Sequence, residues 1–370
     1  MTTHTYQAVH VSAPGRICLF GEHQDYLQLP VVACAISLRI AIEGCRTPGK
    51  EAMIHLPDID SEESFPLGTR LTYTKKRDYL RSAGNVVLRR GYNFPSGIEA
   101  TVHGTIPINA GTSSSSALIV AWIALLQKLS EQAQLSKPDD IARLAHEAEV
   151  LEFGEPGGMM DHFSSAVGGV LAIDFAPAIS LGAMNAALGT FVLGDSREPK
   201  DTTGILSRVK NQVLKITGDL QRRYPEFSLQ SVSIDDLASF EKHLTREQST
   251  LLRGTIQNRD LTKLARAELA GSSFQHRHIG ELLSEHQTVL RDVLRISTPK
   301  IDRMLAAAVA AGAYGGKING SGGGGCMFAY APEHPERVAR AVEDAGGKAY
   351  IVSMDAGVRV DAVQEEKAFS

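Results

Sequence analysis

A chain of 370 residues has room for two domains around a cleft, since a typical domain holds roughly 100 to 200 residues. Its composition, 43% hydrophobic and 22% charged, is that of a globular protein with a sizeable core and excludes a disordered chain. The net charge of -4 excludes a broad nucleic-acid surface, which draws on clustered Lys and Arg, so the short runs Lys75-Lys76-Arg77 and Arg222-Arg223 read as solvated faces.

Alternating β-branched and polar residues up to Val11, a break at Pro14-Gly15, and an apolar run over 31–36 that stays β-like to Glu43 predict strands around an exposed loop. Residues 48–78 are polar and weakly periodic, whereas Leu80, Val86 and Val87 at helical spacing predict a surface helix over 79–91. A strand over 98–106 is punctuated by Pro107 and Gly111, and the run 116–129, containing Trp122, reads as a buried helix. The serines before it therefore sit at a loop-to-helix junction. Pro138-Asp139-Asp140 opens another helix with acidic residues in its first turn; it runs to about Phe153, ends at Gly154, and has Glu149 and Glu152 near its end. A short strand over 189–193 and helical stretches near 203–222, 235–244 and 279–295 predict a second, more helical domain, giving boundaries of 1–180 and 181–370. The final third holds a glycine-rich turn at 317–326 between an Ala-rich helix and a β-like segment at 327–330, and no solenoid repeat is evident.

Four cysteines (Cys18, Cys34, Cys45, Cys326) are too few for a disulfide scaffold in a chain of this length, and no CxxC pair suggests zinc, so a reducing compartment is expected. The N-terminus lacks the basic-then-apolar layout of a signal peptide and no run of ~18 apolar residues appears, so the chain is read as cytosolic with no membrane partner.

Four constellations carry chemistry. In Gly111-Thr112-Ser113-Ser114-Ser115-Ser116-Ala117, small side chains let a phosphate approach N–H groups at a helix N-terminus, where the dipole favours negative charge. Taken alone, the run is equally a serine-rich turn that caps the helix; without a GxxxxGK[ST] sequence it would be a phosphate loop of a different kind. Glu149 and, past the Gly157-Gly158 turn, Asp161 supply two carboxylates, one suited to Mg2+ and the other to orienting or deprotonating a hydroxyl, though acidic pairs are more often surface charges. Arg16 with Gly21-Glu22-His23-Gln24-Asp25-Tyr26 is a dense set of donors and acceptors that suits a polyhydroxylated ligand, or else a solvated turn with a local ion pair. The glycine run at 320–325 reads as a packed turn for close backbone approach rather than a flexible linker.

In this order the four pieces resemble the GHMP kinases, the superfamily of galactokinase, homoserine kinase, mevalonate kinase and phosphomevalonate kinase. Residues 14–26 resemble the galactokinase first motif, PGRxNLxGEHxDY, with Cys18 where that family has Asn. Residues 107–115 are similar to the second motif, PxxxGLxSSA, with Thr112 replacing the usual Leu and Ser116 the first Ala. Residues 317–325 resemble the third, KxTGAGxGGC, with Asn319 and Ser321 in place of Thr and Ala, so this loop is expected to border phosphates and acceptor. The resemblance covers most of the chain and is weakest at 45–95 and 195–275.

The resemblance implies an α+β, two-domain GHMP fold: an N-terminal domain with the serine-rich phosphate loop, a C-terminal ferredoxin-like domain, and the active site in the cleft between them. It implies a cytoplasmic, ATP-dependent kinase, monomer or homodimer, that transfers the γ-phosphate to a hydroxyl of a monosaccharide, the anomeric hydroxyl first, with Mg2+ as cofactor. By the same resemblance Asp161 matches the catalytic base, Arg16 the residue that stabilises its carboxylate and the transferring phosphate, and Glu149 the metal-binding glutamate. Ser115 matches a Mg2+ ligand, Gly111, Ser113, Ser114 and Ser115 the ATP loop, and Glu22, His23, Asp25 and Gly158 the sugar-contacting positions. Past Leu193, galactokinases carry Ser-x-Tyr-x-x-Arg-Arg; here the run Asp195-Ser196-Arg197-Glu198-Pro199-Lys200-Asp201-Thr202-Thr203-Gly204 lacks that tyrosine and looks like the mevalonate-type loop. A sugar acid, polyol or mevalonate-like acid therefore stays open as acceptor, with Arg197 or Lys200 suited to an acidic sugar. A catalytically silent sugar and ATP sensor is the reading from another class, against which the presence of Arg16, Ser115, Glu149 and Asp161 weighs.

Overall fold

A computed structural model describes residues 4–108, 110–199, 202–271 and 273–369 and places them on two sheets. The first contains β1 (His4–Phe20), β2 (Val31–Thr47), β3 (Glu51–Leu56), β4 (Ser61–Pro66), β5 (Gly97–Gly104), β6 (Val170–Asp174), β7 (Ser180–Met184) and the last strand, β12 (Arg359–Phe369). Its order is β12-β1-β2-β5-β3-β4, with β6 and β7 branching from β2. Helices α1 (Tyr79–Arg89), α2 (Ser114–Leu129), α3 (Pro138–His146) and α4 (Met160–Val167) pack on one another and on this sheet.

The second sheet comprises β8 (Thr190–Asp195), β9 (Gly315–Ile318), β10 (Cys326–Tyr330) and β11 (Lys348–Ser353) in the antiparallel order β11-β8-β10-β9. Four helices, α5 (Thr202–Arg223), α6 (Leu237–Phe240), α7 (Arg246–Leu269) and α8 (His276–Thr288), lie in sequence between β8 and α9 (Pro299–Ala310). With α9 before β9 and α10 (Pro335–Asp344) between β10 and β11, the sheet has the expected ferredoxin-like arrangement.

The predicted break at Pro14-Gly15 is not a break. β1 runs through it and absorbs the dipeptide as a register shift against β2 between Pro14 and Arg16, the kind of irregularity that tolerates a missing N–H. Glycine is required here because a Cβ on Gly15 would lie 2.8 Å from Thr112 O, where β1 touches the serine loop. The loop between β1 and β2, expected to be exposed, is largely buried: Gly21, Glu22, His23 and Gln24 are covered, and Leu27 and Leu29 pack with Val213, Leu220, Leu252 and Ile256 of α5 and α7. The polar groups of this loop are satisfied inside the protein rather than by solvent, Glu22 by Lys317 at its carboxylate and by Asn258 at its carbonyl.

The helix α2 is buried along nearly its whole length, and Trp122 Nε1 donates to Leu80 O of α1 at 3.1 Å, satisfying the indole inside the core. Several elements were not foreseen, among them α4, β6, β7, α10, β11 and β12. The weakly periodic stretch 48–78 contains the β3–β4 hairpin, and α7 was missed because its buried residues are spread around the helix instead of forming one stripe. Its start does carry a signal: Thr245 and Gln248 form a capping box, the S/T-x-x-E/Q pattern. No helix among the described residues is long and apolar enough to cross a membrane.

Candidate active site

All eleven residues singled out in the sequence line one cavity of about 220 Å³: Arg16, Glu22, His23, Asp25, Gly111, Ser113, Ser114, Ser115, Glu149, Gly158 and Asp161. Its floor is the junction of three loops. Gly111, at φ 88°, has its Cα face against the carbonyl of Asn319, where a Cβ would come within 2.6 Å, and Gly320 is held reciprocally against Gly111 O. Cys326 N–H donates to Ala110 O at 2.7 Å. The second and third motifs are thus packed backbone to backbone, a contact that admits no side chain at either glycine.

Ser113 turns the chain in a left-handed conformation (φ 60°) into α2, whose first helical bond runs from Ala117 N to Ser113 O. The opening N–H groups of a helix have no intrahelical partner, and here Ser113, Ser114, Ser115 and Ser116 all face the cavity, so unmatched donors and the positive end of the helix converge on it. Ser321 Oγ, buried at the opposite wall, has no partner among the described residues. This is the donor set that an anionic phosphate chain requires.

Two carboxylates stand beside it. Glu149 belongs to a π-helical turn, Glu147–Leu151, that continues α3, a distortion that re-aims side chains and frequently occurs at functional sites. Its Oε2 accepts from Ser116 Oγ at 2.7 Å and lies 2.8 Å from His162 Nε2. Burial pushes the Glu149 pKa up, but the bond and charge of His162 and the hydroxyls of Ser115 and Ser116 outweigh it, and the group ends below its ordinary value. Asp161, in the first turn of α4, receives Arg16 Nε at 2.7 Å, while Arg16 Nη1 donates to Gly111 O at 2.6 Å. Burial again acts upward on Asp161 and is overcome by Arg16 and then His162, so this carboxyl too stays ionised at neutral pH.

The far end of the cavity is formed by the first motif. The carboxylate of Glu22 is bonded to Lys317 Nζ at 2.8 Å, and Lys317, fully buried, also donates to Ile318 O. His23 Nε2 lies 3.0 Å from Ser321 O and Nδ1 2.8 Å from the Tyr26 hydroxyl. Burial lowers the His23 pKa, so the ring is neutral; the carbonyl partner places its proton on Nε2. Asp25 is pushed up to about 6, first by burial and then by the charge of Asp161. Gly158 is the residue that permits this: a Cβ there would lie 1.9 Å from Asp25 Oδ2.

Sequence reasoning missed several groups at the site. His162 could have been found as the neighbour of Asp161, and Ser116 was noted only as a departure from the motif. Arg77 and Glu155, which form a bidentate pair at 2.5 and 2.6 Å on the cavity wall, lie in the weakly readable stretch and in an unremarked loop. Arg197, considered for an acidic substrate, is exposed and is not among the lining residues, and Lys200 lies outside the described residues, as does Asn109 of the second motif.

The donors present suit Mg2+: Ser115, Ser116, Glu149 and Asp161 are hard oxygen ligands on one cavity. Among the described residues no three His, Cys, Asp or Glu side chains form a metal cage, so a cation here would be shared with the phosphates of a nucleotide, the usual mode for Mg2+.

Comparison with known proteins gives the same assignment. The sequence matches the GHMP kinases N terminal domain over residues 78–169, the GHMP kinases C terminal domain over 256–348, and the galactokinase galactose-binding signature over 2–46. A mevalonate kinase of Pyrococcus furiosus is 30% identical over 367 residues, spanning 96% of this chain and 99% of that protein. A galactokinase of Actinobacillus succinogenes is 27% identical over 343 residues, spanning 88% and 86%. In fold, the chain is similar to the galactokinase of Lactococcus lactis complexed with galactose (TM-score 0.83, 20% identity, 95% of each chain). It is also similar to the mevalonate kinase of Methanococcus jannaschii (TM-score 0.73, 18% identity, 94% of this chain and 98% of that one). The chain belongs to the GHMP kinase family and is an ATP-dependent phosphotransferase that acts on a hydroxyl acceptor.

Proposed function

We propose that the acceptor is a neutral monosaccharide, phosphorylated at the anomeric hydroxyl as in the galactokinases the chain resembles, with Mg2+-ATP as donor. The observation that carries this reading is the charge of the acceptor end. Asp25, Glu22 and Asp161 bring three carboxyls together there, and the cations near them are already engaged: Arg16 by Asp161 and Gly111 O, Lys317 by Glu22 and Ile318 O, Arg77 by Glu155. A substrate carboxylate would add a further negative charge beside Asp25, which burial and then the charge of Asp161 already raise. Sugar hydroxyls, by contrast, can donate to Asp25 and Glu22.

In the mechanism this supports, the N–H groups and hydroxyls of Ser113, Ser114 and Ser115 bind the phosphate chain, and Glu149 and Ser115 would hold Mg2+, which would supply charge neutralisation on the phosphate oxygens. Asp161, kept ionised by Arg16, accepts or orients the proton of the attacking hydroxyl, and Arg16 faces the charge that builds on the transferring group. Gly158 leaves room for Asp25 to hold the sugar in register. The division of labour follows two units, 1–180 with the serine loop and 181–370 with the glycine loop, except that β7 and the C-terminal strand β12 return to the first sheet. The four buried cysteine thiols support a cytoplasmic setting, and the unit is read as a monomer or homodimer.

The test is ADP release with Mg2+-ATP against galactose, other hexoses, pentoses, uronic acids, inositol and mevalonate. Turnover on a neutral sugar is expected; turnover on mevalonate or a uronic acid alone would overturn the acceptor assignment, and sugar binding without ADP release would favour the sensor.

A further inference from the structure

Asn319 is 1% exposed and does not line the cavity, yet its carboxamide sits where all three motifs meet. Oδ1 accepts from Cys18 N–H at 2.9 Å, and Nδ2 donates to Gly111 O at 2.9 Å and to Arg16 O at 3.4 Å. Gly111 O is the same atom that accepts from Arg16 Nη1 at 2.6 Å, and Arg16 in turn holds Asp161. One carbonyl, with both lone pairs in use, therefore fixes the guanidinium relative to the glycine loop.

The sequence makes this arrangement specific to the chain. Position 18 has Cys where the galactokinase motif has Asn, and position 319 has Asn where the family motif has Thr. The Cys18 thiol interacts with the charges of Glu22, Lys317 and Arg16, and its hydrogen bond goes to the neighbouring Phe20 O at 3.4 Å, so it makes no amide-like link across the junction. The Cys18 end of the Cys18–Asn319 hydrogen bond is the backbone N–H, so the side chain at 18 takes no part and the carboxamide at 319 carries the bridge alone. A carboxamide donates and accepts at once from a planar group, which suits it to bridge three backbone segments.

We propose that Asn319 is a positioning residue for phosphoryl transfer, holding the Gly111 carbonyl and the Arg16 backbone so that the guanidinium faces Asp161. The proposal rests on the phosphotransferase reading of the site. It acts on the geometry of the reacting groups rather than on ligand affinity, because Asn319 does not line the cavity and reaches the phosphate loop only at the Gly111 carbonyl, not at its donors.

The experiment compares Asn319→Thr and Asn319→Ala, with Cys18→Ala as control, for kcat, KM for ATP and KM for the acceptor. Asn319→Thr is expected to lower kcat about tenfold or more with both KM values within about threefold, since small misplacements of catalytic groups cost that much. Cys18→Ala, which keeps the backbone N–H that donates to Asn319 Oδ1, is expected to stay within about threefold of wild type in all three values. Wild-type kcat in Asn319→Thr, or a loss confined to the KM for ATP, overturns the proposal. Should Asn319→Thr be insoluble, Asn319→Ala is read by the same split between kcat and KM. A crystal structure of the variant reads the geometry without turnover, so failure here is distinct from failure of the kinase reading. Arg16 still bonded to both Gly111 O and Asp161 would dismiss the positioning role even in a chain that phosphorylates nothing.

Discussion

At the scale of single residues, the site divides its carboxyls by environment. Asp161 is held below its ordinary value by Arg16 against the effect of burial, whereas Asp25, with no such partner, is raised from 3.8 to about 6. Asp161→Asn keeps size and shape while removing the proton acceptor and its charge, so kcat should fall on the order of 10² or more with ATP binding retained, measured by steady-state kinetics and titration calorimetry. Asp25 gives a pH signature. Between about 4 and about 6 the folded chain keeps a proton that the unfolded chain has released, so stability falls as pH rises through that window and is fully reduced above it. Asp25→Asn should therefore melt a few degrees above wild type at pH 7.5, with the gap closing as pH approaches 4. The same change should raise the KM for the acceptor, and wild-type KM should rise as pH falls below about 6. The charged and hydroxylated members of this set were legible in the sequence because their chemistry is unusual in such close succession. Lys317 was not, since what matters about it is a partner 295 residues away, which no local spacing reveals.

At the scale of elements, the fold was most legible where one period persisted. The helices at 79–91 and 116–129 and the strand at 98–106 appear within a few residues of expectation as α1, α2 and β5. Pro14-Gly15 misled because a bulge and a strand end share the same residues, and only the contact of Gly15 with Thr112 O distinguishes them. The helix α7 hid because it is surrounded by α5, α8 and the first-motif loop, where Asn258 Nδ2 donates to Glu22 O at 2.9 Å, so its buried face is wide and partly polar. Thr245→Ala removes its capping box and should lower stability by about 1 kcal/mol, read as a drop in Tm without change in the KM for ATP. The π turn carrying Glu149 had no sequence signal; helical periodicity cannot show one inserted residue at a helix end.

At the scale of the whole molecule, the two sheets are joined by the site itself. Lys317 of β9 and Glu22 of the first-motif loop form a fully covered ion pair between them, with Lys317 at 0% exposure. Removing one partner leaves the other charge buried and unpaired, so Lys317→Met should destabilise by about 3–5 kcal/mol in denaturant unfolding, and Glu22→Gln in the same chain should recover part of it. A Lys317→Met variant as stable as wild type would show that the pair is not what joins the halves. The backbone contact of Gly111 with Gly320 has a further consequence, for how ligands come and go. A clamshell opening of the cleft would part those two loops and break the bond from Asn319 Nδ2 to Gly111 O, so every opening by hinge motion would undo the backbone packing on which the phosphate loop is set.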